Sequence, residues 1–397
     1  METVLMLKRL DLVIINRSFW PVYPVIGEAL MRFAEQQSLS KNVGVILQDH
    51  AGIKEHLTHE KRGLGVNFYP CHALSVSGSS ILRRVADAVY FMLWVFSILL
   101  LKRPKKVYVS TDPPVLVPFI VMIYCKLFRA QFVYHLQDIH PEAANVVMPV
   151  QPMLFRLLKS MDSLTMRSAD SLITITDQMA EQIKERSSTR VPIKTLVNPS
   201  VSFEHVIAPD VKKVGFTFCG NAGRLQRIPL IIQAIDQYCQ AGGTLPFVFA
   251  GAGVYADELE KLAEKHVNVT YKGLVSASEA AQLSADYEWA LLPIEDDVTK
   301  FAFPSKSSSY ILAGAKIIAV CGCNTSVAKW VTTNAIGVVV EPCVDSLRQF
   351  FFAIEHNEYS NVQLNMDRDI LKARLGFDVF VNDLTELVVG DRGLEHG

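Results

Sequence analysis

Eight consecutive positions, His135 to Glu142, read HLQDIHPE and follow directly on the apolar run Phe132–Tyr134. Two imidazoles and two carboxylates at the end of a strand-like segment have the parts for moving protons near neutral pH. Strand alternation puts His135 and Gln137 on one face, with Asp138 already in the turn and His140 beyond it. The same residue types also serve as a helix cap (Asp138) or as buried hydrogen-bonding partners (His135, His140), and spacing alone leaves both uses open.

A second set lies in the other half of the chain. FCGNAGRLQR carries Gly220, Asn221, Gly223, Arg224, Gln226 and Arg227; FAGAG carries Gly251 and Gly253; YKGLV carries Gly273 and Leu274. Glycines where strands give way to helices let a backbone approach a ligand, and the following helix offers unpaired N–H groups, a combination that suits a diphosphate. The spacing Gly220-x-x-Gly223 is not the full G-x-G-x-x-G pattern, and such turns also occur in any α/β domain. PSKSSSYILAG (304–314) then places Ser305, Lys306 and Ser309 at a helix start, with Gly314 at its end. A cation at that end of a helix is unfavourable unless an anion binds there, which makes Lys306 a candidate phosphate clamp, the alternative being a solvated lysine.

The elements that must position these groups alternate between short β-like runs and helix-length amphipathic segments, the pattern of parallel α/β sheets. In the first half the runs are 10–16, 42–48, 65–70, 106–111, 132–137, 170–176 and 193–198, with a long helix near 80–101. Residues 197–210, with Pro199 and Pro209, read as a linker. The pattern restarts with runs at 215–220, 246–251, 268–273, 289–294, 316–320 and 337–342. This predicts two doubly wound domains, 1–198 and 205–370, with ligands beyond the carboxyl ends of the strands in a central cleft.

With 397 residues, half of them apolar, the chain can bury sizeable cores, and 39 Lys+Arg against 40 Asp+Glu carry no nucleic-acid signal. Seven cysteines without regular spacing read as reduced cytosolic thiols, and Cys321 and Cys323 are too close together for a zinc knuckle. The N-terminus has no secretory pattern. The longest apolar run, Ala88–Leu101, is fourteen residues, short of a bilayer span. Arg83, Arg84 and the KRPKK of 102–106 flank it, which suits an anionic lipid surface, the alternative being a buried helix.

Taken in order, SFWP (18–21), VSTDPP (109–114), YHLQDIHPE (134–142), VNPS (197–200), GNAGRLQ (220–226) and PSKSSSYILAG (304–314) resemble the retaining nucleotide-sugar glycosyltransferases of the GT-B fold, family four, in the branch that builds bacterial O-antigen, capsule and exopolysaccharide. The resemblance implies two facing Rossmann-like domains and a C-terminal helix, 371–390, crossing back to the first. It implies a nucleotide-diphosphate sugar donor on the second domain, a lipid-linked or glycan acceptor on the first, no metal, and a cytoplasmic location at the inner face of the cytoplasmic membrane. Asp138 matches the family's aspartate and would orient or deprotonate the acceptor hydroxyl, with His135 and His140 as alternatives. Phe19, Trp20, Gly27 and Gln137 fall on the acceptor side, and Asp112 reads as a helix cap. Asn221 and Gln226 stand where many relatives have arginine and lysine. Ser309 replaces the second glutamate of the E-x7-E pair, whose first falls near Phe301. These departures keep two alternatives in view: a nucleotide-sugar epimerase on the same fold, and a non-catalytic scaffold subunit.

Overall fold

The computed structural model describes residues 9–75, 80–359 and 373–390. The chain divides into two compact units, Met1–Val197 with Phe377–Gly397, and Asn198–Gly376. The first is built on β1 (Leu12–Ile15), β2 (Val43–Asp49), β3 (Val66–His72), β4 (Lys106–Ser110), β5 (Gln131–Leu136), β6 (Ser171–Thr174) and β7 (Ile193–Thr195). Their order in the sheet is β3-β2-β1-β4-β5-β6-β7, and every pairing is parallel. The central strands are apolar along their whole length because helices cover both faces; all four residues of β1 are buried.

The helices of this unit are α1 (Ile26–Ser38), α2 (Ile53–Glu60), α3 (Ile81–Lys102), α4 (Leu116–Phe128), α5 (Glu142–Val147), α6 (Pro152–Ser168) and α7 (Asp177–Ser187). α3 is longer than its apolar run suggests. Ser80 Oγ accepts from the Arg83 amide at its start, and Arg103 ends it in the left-handed region. By length and composition alone, Leu82–Lys102 would cross a membrane, with 21 residues and a mean hydropathy of 1.8. Here it is the crossover between β3 and β4. Asp87 is buried and accepts from Gln48 Nε2 at 2.6 Å and the Leu74 amide at 3.0 Å, while Trp94 Nε1 donates to the Tyr69 carbonyl at 3.2 Å.

The expected crossing-back helix begins at Phe377; positions 371–372 of the expected range lie outside the described residues. Phe377, Phe380, Leu384 and Val388 of this last described helix (Phe377–Val389) share a core with Leu30 and Phe33 of α1. Lys106 Nζ donates to the Val388 carbonyl at 2.5 Å.

The second unit carries β8 (Lys213–Cys219), β9 (Phe247–Ala250), β10 (Val269–Tyr271), β11 (Tyr287–Pro293), β12 (Lys316–Val320) and β13 (Gly337–Val340), ordered β10-β9-β8-β11-β12-β13 and all parallel. Its helices are α8 (Ile228–Gln240), α9 (Ala256–Lys265), α10 (Ala277–Asp286), α11 (Lys306–Leu312), α12 (Ser326–Thr333) and α13 (Val344–Glu355). Phe216 stacks on Phe247 with centroids 4.7 Å apart, and Tyr238 and Phe351 close on the same pair. Burying one such side chain is worth about 1.5–3 kcal/mol. The stretch read as a linker is not free of this unit. Ser308 Oγ donates to the Asn198 carbonyl at 2.8 Å, and the Ser200 amide to the Leu375 carbonyl at 3.0 Å, so the boundary falls at 197/198.

Both sheets reverse strand order once, at β1/β4 and at β8/β11, and in open α/β sheets the ligand crevice lies at the carboxyl side of that reversal.

Candidate functional site

In the second unit the loops after β8, β9 and β10 are laced together by main-chain bonds. The Gly220 amide donates to the Ala250 carbonyl at 2.8 Å, Ala222 to Ala252 at 2.8 Å, and Gly251 to Gly273 at 2.7 Å. The approach is so close that a Cβ at Gly251 would lie 2.0 Å from the Gly220 carbonyl oxygen, and Gly251 holds φ 131°. Only glycine fits there. Gly253 and Gly273 also hold positive φ, and Leu274, beside Gly273, is largely exposed.

Lys306 lies over these loops. Its ammonium sits 3.7 Å from the Phe218 ring centroid and 3.4 Å from the Asn221 carbonyl, with its stem against Gly220. It pairs with no carboxylate among the described residues, and burial pushes its pKa down to about 7. A cation held by a ring face and a carbonyl, without a counter-ion, is a place where an anion gains most.

The neighbouring candidates divide. Arg224 is exposed and forms no ion pair among the described residues. Arg227 is spent elsewhere: its guanidinium donates to the Ile294 carbonyl at 2.8 Å and pairs with Asp296 at 2.9 Å and Glu295 at 3.1 Å. Arg227, grouped above with the candidate diphosphate loop, is thus neutralised by the carboxylates of the 295–296 segment. Gln226 Oε1 accepts from the Gly223 amide at 3.1 Å, so that N–H is already engaged, and a 3-10 turn, Arg224–Gln226, separates the glycines from α8. Ser305 makes no capping bond at α11. Ser309 Oγ accepts from Ser200 Oγ at 3.3 Å.

In the first unit the loops leaving β1, β4 and β5 each contain a cis proline bond, Trp20–Pro21, Asp112–Pro113 and His140–Pro141. They are fastened by side chains. Asp112 accepts from Arg17 Nε at 3.0 Å and from the Ser18 amide at 2.8 Å, tying the β1 loop to the β4 loop across the order reversal. The expected capping role is overturned, because the residue at the cap of α4 is Val115 and no side chain caps the helix. Thr111 Oγ1 accepts from the amides of Gln137 at 3.1 Å and Asp138 at 3.4 Å. Arg186 on α7 is nearly enclosed. It pairs with Asp162 at 2.6 Å and Glu142 at 2.9 Å, and donates to the His140 carbonyl at 2.7 Å. The 138–142 loop is thus anchored at both ends.

Asp138 is partly accessible, and its carboxyl makes no hydrogen bond or ion pair among the described residues. Burial, helped by the charge of Asp112, raises its pKa to about 6. His140 stays partly exposed, with burial and Arg186 lowering its pKa to about 4. Of the two uses left open for His135, its surroundings match the buried hydrogen-bonding one. It is fully buried, with Nδ1 2.6 Å from Tyr108 Oη and Nε2 2.9 Å from Gln137 Nε2, and burial drives its pKa down to about 3. It is a neutral strut under the loop, and it holds Gln137 in place.

Phe19 and Trp20 are core residues, 3% and 7% exposed, and Gly27 packs so tightly on them that a Cβ would meet the Trp20 amide nitrogen at 2.7 Å. They shape the loop from beneath. The accessible apolar residues of that loop are Val22 and Tyr23, which sequence reasoning passed over. It also missed Thr111, Arg17, Arg186 and Phe218. Of these Thr111 left a signal, as the hydroxyl residue that opens TDPP. Among the described residues, no group of three or more His, Cys, Asp or Glu is arranged to hold a metal.

No family model matches the chain. Over 269 residues it is 26% identical to a Pseudomonas aeruginosa protein described as a probable glycosyltransferase, WbjE; the match takes in 63% of this chain and 66% of that protein, just under two thirds of its length. Among solved structures it superposes on Anabaena HepE in complex with UDP with a TM-score of 0.66, at 13% identity, over 95% of this chain and 98% of that one. Sucrose-phosphate synthase from Thermosynechococcus elongatus gives a TM-score of 0.70 at 11% identity, over 96% and 98%. At such identities the likeness establishes the fold: two parallel-sheet, Rossmann-like domains of the GT-B type.

Proposed function

We propose that this chain is a glycosyltransferase that takes its sugar from a nucleotide-diphosphate sugar held on the second unit. One observation carries the reading: Lys306, a half-buried cation with no carboxylate partner among the described residues, poised over the first of three interlaced glycine loops. Cleaving a sugar–phosphate bond leaves negative charge on the diphosphate, and a preorganised cation in a water-poor site lowers the barrier by offsetting that charge as it develops. Arg224 is close enough in sequence to assist, whereas Arg227 is already neutralised. Asp138 would accept the proton of the acceptor hydroxyl, since a carboxyl with a pKa near 6 is ionised at neutral pH yet basic enough to take up a proton. The similarity to WbjE and the superposition on HepE with UDP support a nucleotide-sugar donor.

The finer reading rests on the family resemblance of the sequence motifs: retention of anomeric configuration, and a lipid-linked or glycan acceptor in bacterial surface polysaccharide synthesis. The test is a panel of nucleotide sugars followed for release of nucleoside diphosphate, with and without acceptor, in wild type and Lys306→Ala. Release from one donor that collapses in Lys306→Ala supports the transferase. Conversion of the free donor to its epimer with no release of nucleoside diphosphate, or tight nucleotide binding with no turnover, would overturn it in favour of an epimerase or a scaffold.

A further inference from the structure

The first unit wears one helix layer inside out. α3, α4 and α6 pack side by side, α4 between the other two, and their outer faces are apolar where a water-facing layer is ordinarily polar. On α3 the exposed positions fall at helical spacing along one side: Leu82, Val85, Val89, Leu93 and Leu100 are all more than a third exposed, while Phe91, Val95 and Leu99 face inward. α4 continues the surface with Phe119, Ile120 and Ile123, half-exposed, and Leu127, which is 68% exposed. α6 extends it with Met153 at 81%, Leu154 and Leu157. Scattered single residues of this kind are ordinary; a contiguous face spanning three helices marks an interaction surface.

Charge on the same helices says what kind. Counting Arg103 with α3 and Arg129 with α4, the three segments hold nine Lys or Arg and two acids, and both acids, Asp87 and Asp162, are buried. The bases cluster at the margins. Arg83 and Arg84 stand at the start of α3, Arg103 and Arg129 at the ends of α3 and α4, and Arg156 on α6, all exposed. Arg103 lies 5.7 Å over the Phe128 ring, which joins the rim to the apolar field.

The geometry points to an anionic phospholipid bilayer as the occupant of this face: the α3–α4–α6 layer lies flat on the headgroup boundary, apolar side chains in the acyl margin and basic side chains among the phosphates. A second copy of the chain fits worse, because a two-fold contact would bring one basic rim against another with no exposed acid on these helices to meet it. A bilayer supplies both an apolar interior and a negative surface. α3 docks by its side and does not cross, since its inner face is committed to the sheet and Asp87 is satisfied from within. The inference stands on this surface alone, so it and the donor-site reading can fail separately.

The experiment is co-sedimentation of the full chain with vesicles of phosphatidylcholine alone or with phosphatidylglycerol added, alongside light scattering of the free protein. Binding should require the anionic lipid and weaken with salt. Arg83→Ala/Arg84→Ala/Arg129→Ala should lose about a hundredfold in affinity, at roughly fivefold per basic side chain. Leu154→Gln/Leu157→Gln, on α6 and far along the chain from the basic stretch at 83–106, should weaken binding with an unchanged thermal midpoint. Three results would overturn the inference: no binding to either vesicle, equal binding by wild type and both variants, or a stable dimer in solution that the Leu154→Gln/Leu157→Gln pair dissolves.

Discussion

The two strand-order reversals, one in each unit, are topologically alike and chemically opposed. At β8/β11 the glycine loops are held to one another by backbone, glycine amides bonding to neighbouring carbonyls; Arg227 ties the β8 loop to the segment after β11, and the prominent group without a carboxylate partner among the described residues is the Lys306 ammonium. At β1/β4 the loops are held by side chains, Asp112 to Arg17, Thr111 to two amides, Arg186 to the loop after β5, and the single prominent group is the Asp138 carboxyl. On the proposed reading, one scaffold is furnished once for an anion and once for a proton. In both places burial works against the charge that the chemistry needs, lowering the lysine and raising the aspartate. Sites that break local stability rules in this way are where function is expected to reside.

The contrast can be broken or sharpened by mutation. The largest effect should come from Arg186→Ala, which strands Asp162 as a buried charge and leaves Glu142 with only Lys159 at 3.5 Å. Denaturant unfolding should show a loss of about 3–5 kcal/mol, and a loss near zero would mean that the first unit's loops do not depend on side-chain anchoring. Lys306→Ala should lower nucleotide-sugar turnover about 10²–10³-fold. Because the ammonium titrates near pH 7, wild-type affinity for a nucleotide sugar, whose phosphates do not titrate there, should fall from pH 6 to 8, and the variant should be flat. Asp138→Asn should cost about a hundredfold in rate and remove an acid limb near pH 6. Its stability should move the other way. A carboxyl whose folded pKa lies above its unfolded value stabilises the fold at low pH and loses that contribution as pH rises through about 6, so at pH 7 the amide should be more stable by about 3 kcal/mol. The smallest effect belongs to Asp112→Ala, about 1–2 kcal/mol from two lost hydrogen bonds. It should also shift the acid limb to lower pH, since Asp112 helps hold the Asp138 pKa up.

Most of the architecture was legible because it is written locally. A fully covered parallel strand needs an apolar residue at nearly every position, so each run from 10–16 to 337–342 announced itself. The glycine loops were legible for a related reason: close backbone approach demands glycine at Gly251 and Gly253, and glycine is visible in a string of letters. What escaped was whatever depends on a partner far along the chain. Arg17 and Asp112 are 95 residues apart, and nothing in TDPP reveals that its carboxylate is bound to a guanidinium and not to a helix. Arg227 looked free until the loop at 295–296 closed on it. His135 looked catalytic because alternation gives the face of a strand but not the depth beneath it. Phe19 and Trp20 were put on the acceptor side by the resemblance of SFWP, which says nothing of depth, and the water-facing side of α6 could not be chosen without knowing where α4 lies.

The first unit is not continuous in the chain. Its core needs α1, made early, and Phe380, Leu384 and Val388, separated from it by the whole second unit. A ribosome therefore releases the second unit with every residue it needs while the first still lacks one wall. The newborn protein must carry an open apolar seam along α1 until the helix Phe377–Val389 emerges. Any stop codon placed before Phe377 should leave that seam uncovered, turning a small truncation into an insoluble product although neither Lys306 nor Asp138 has been touched.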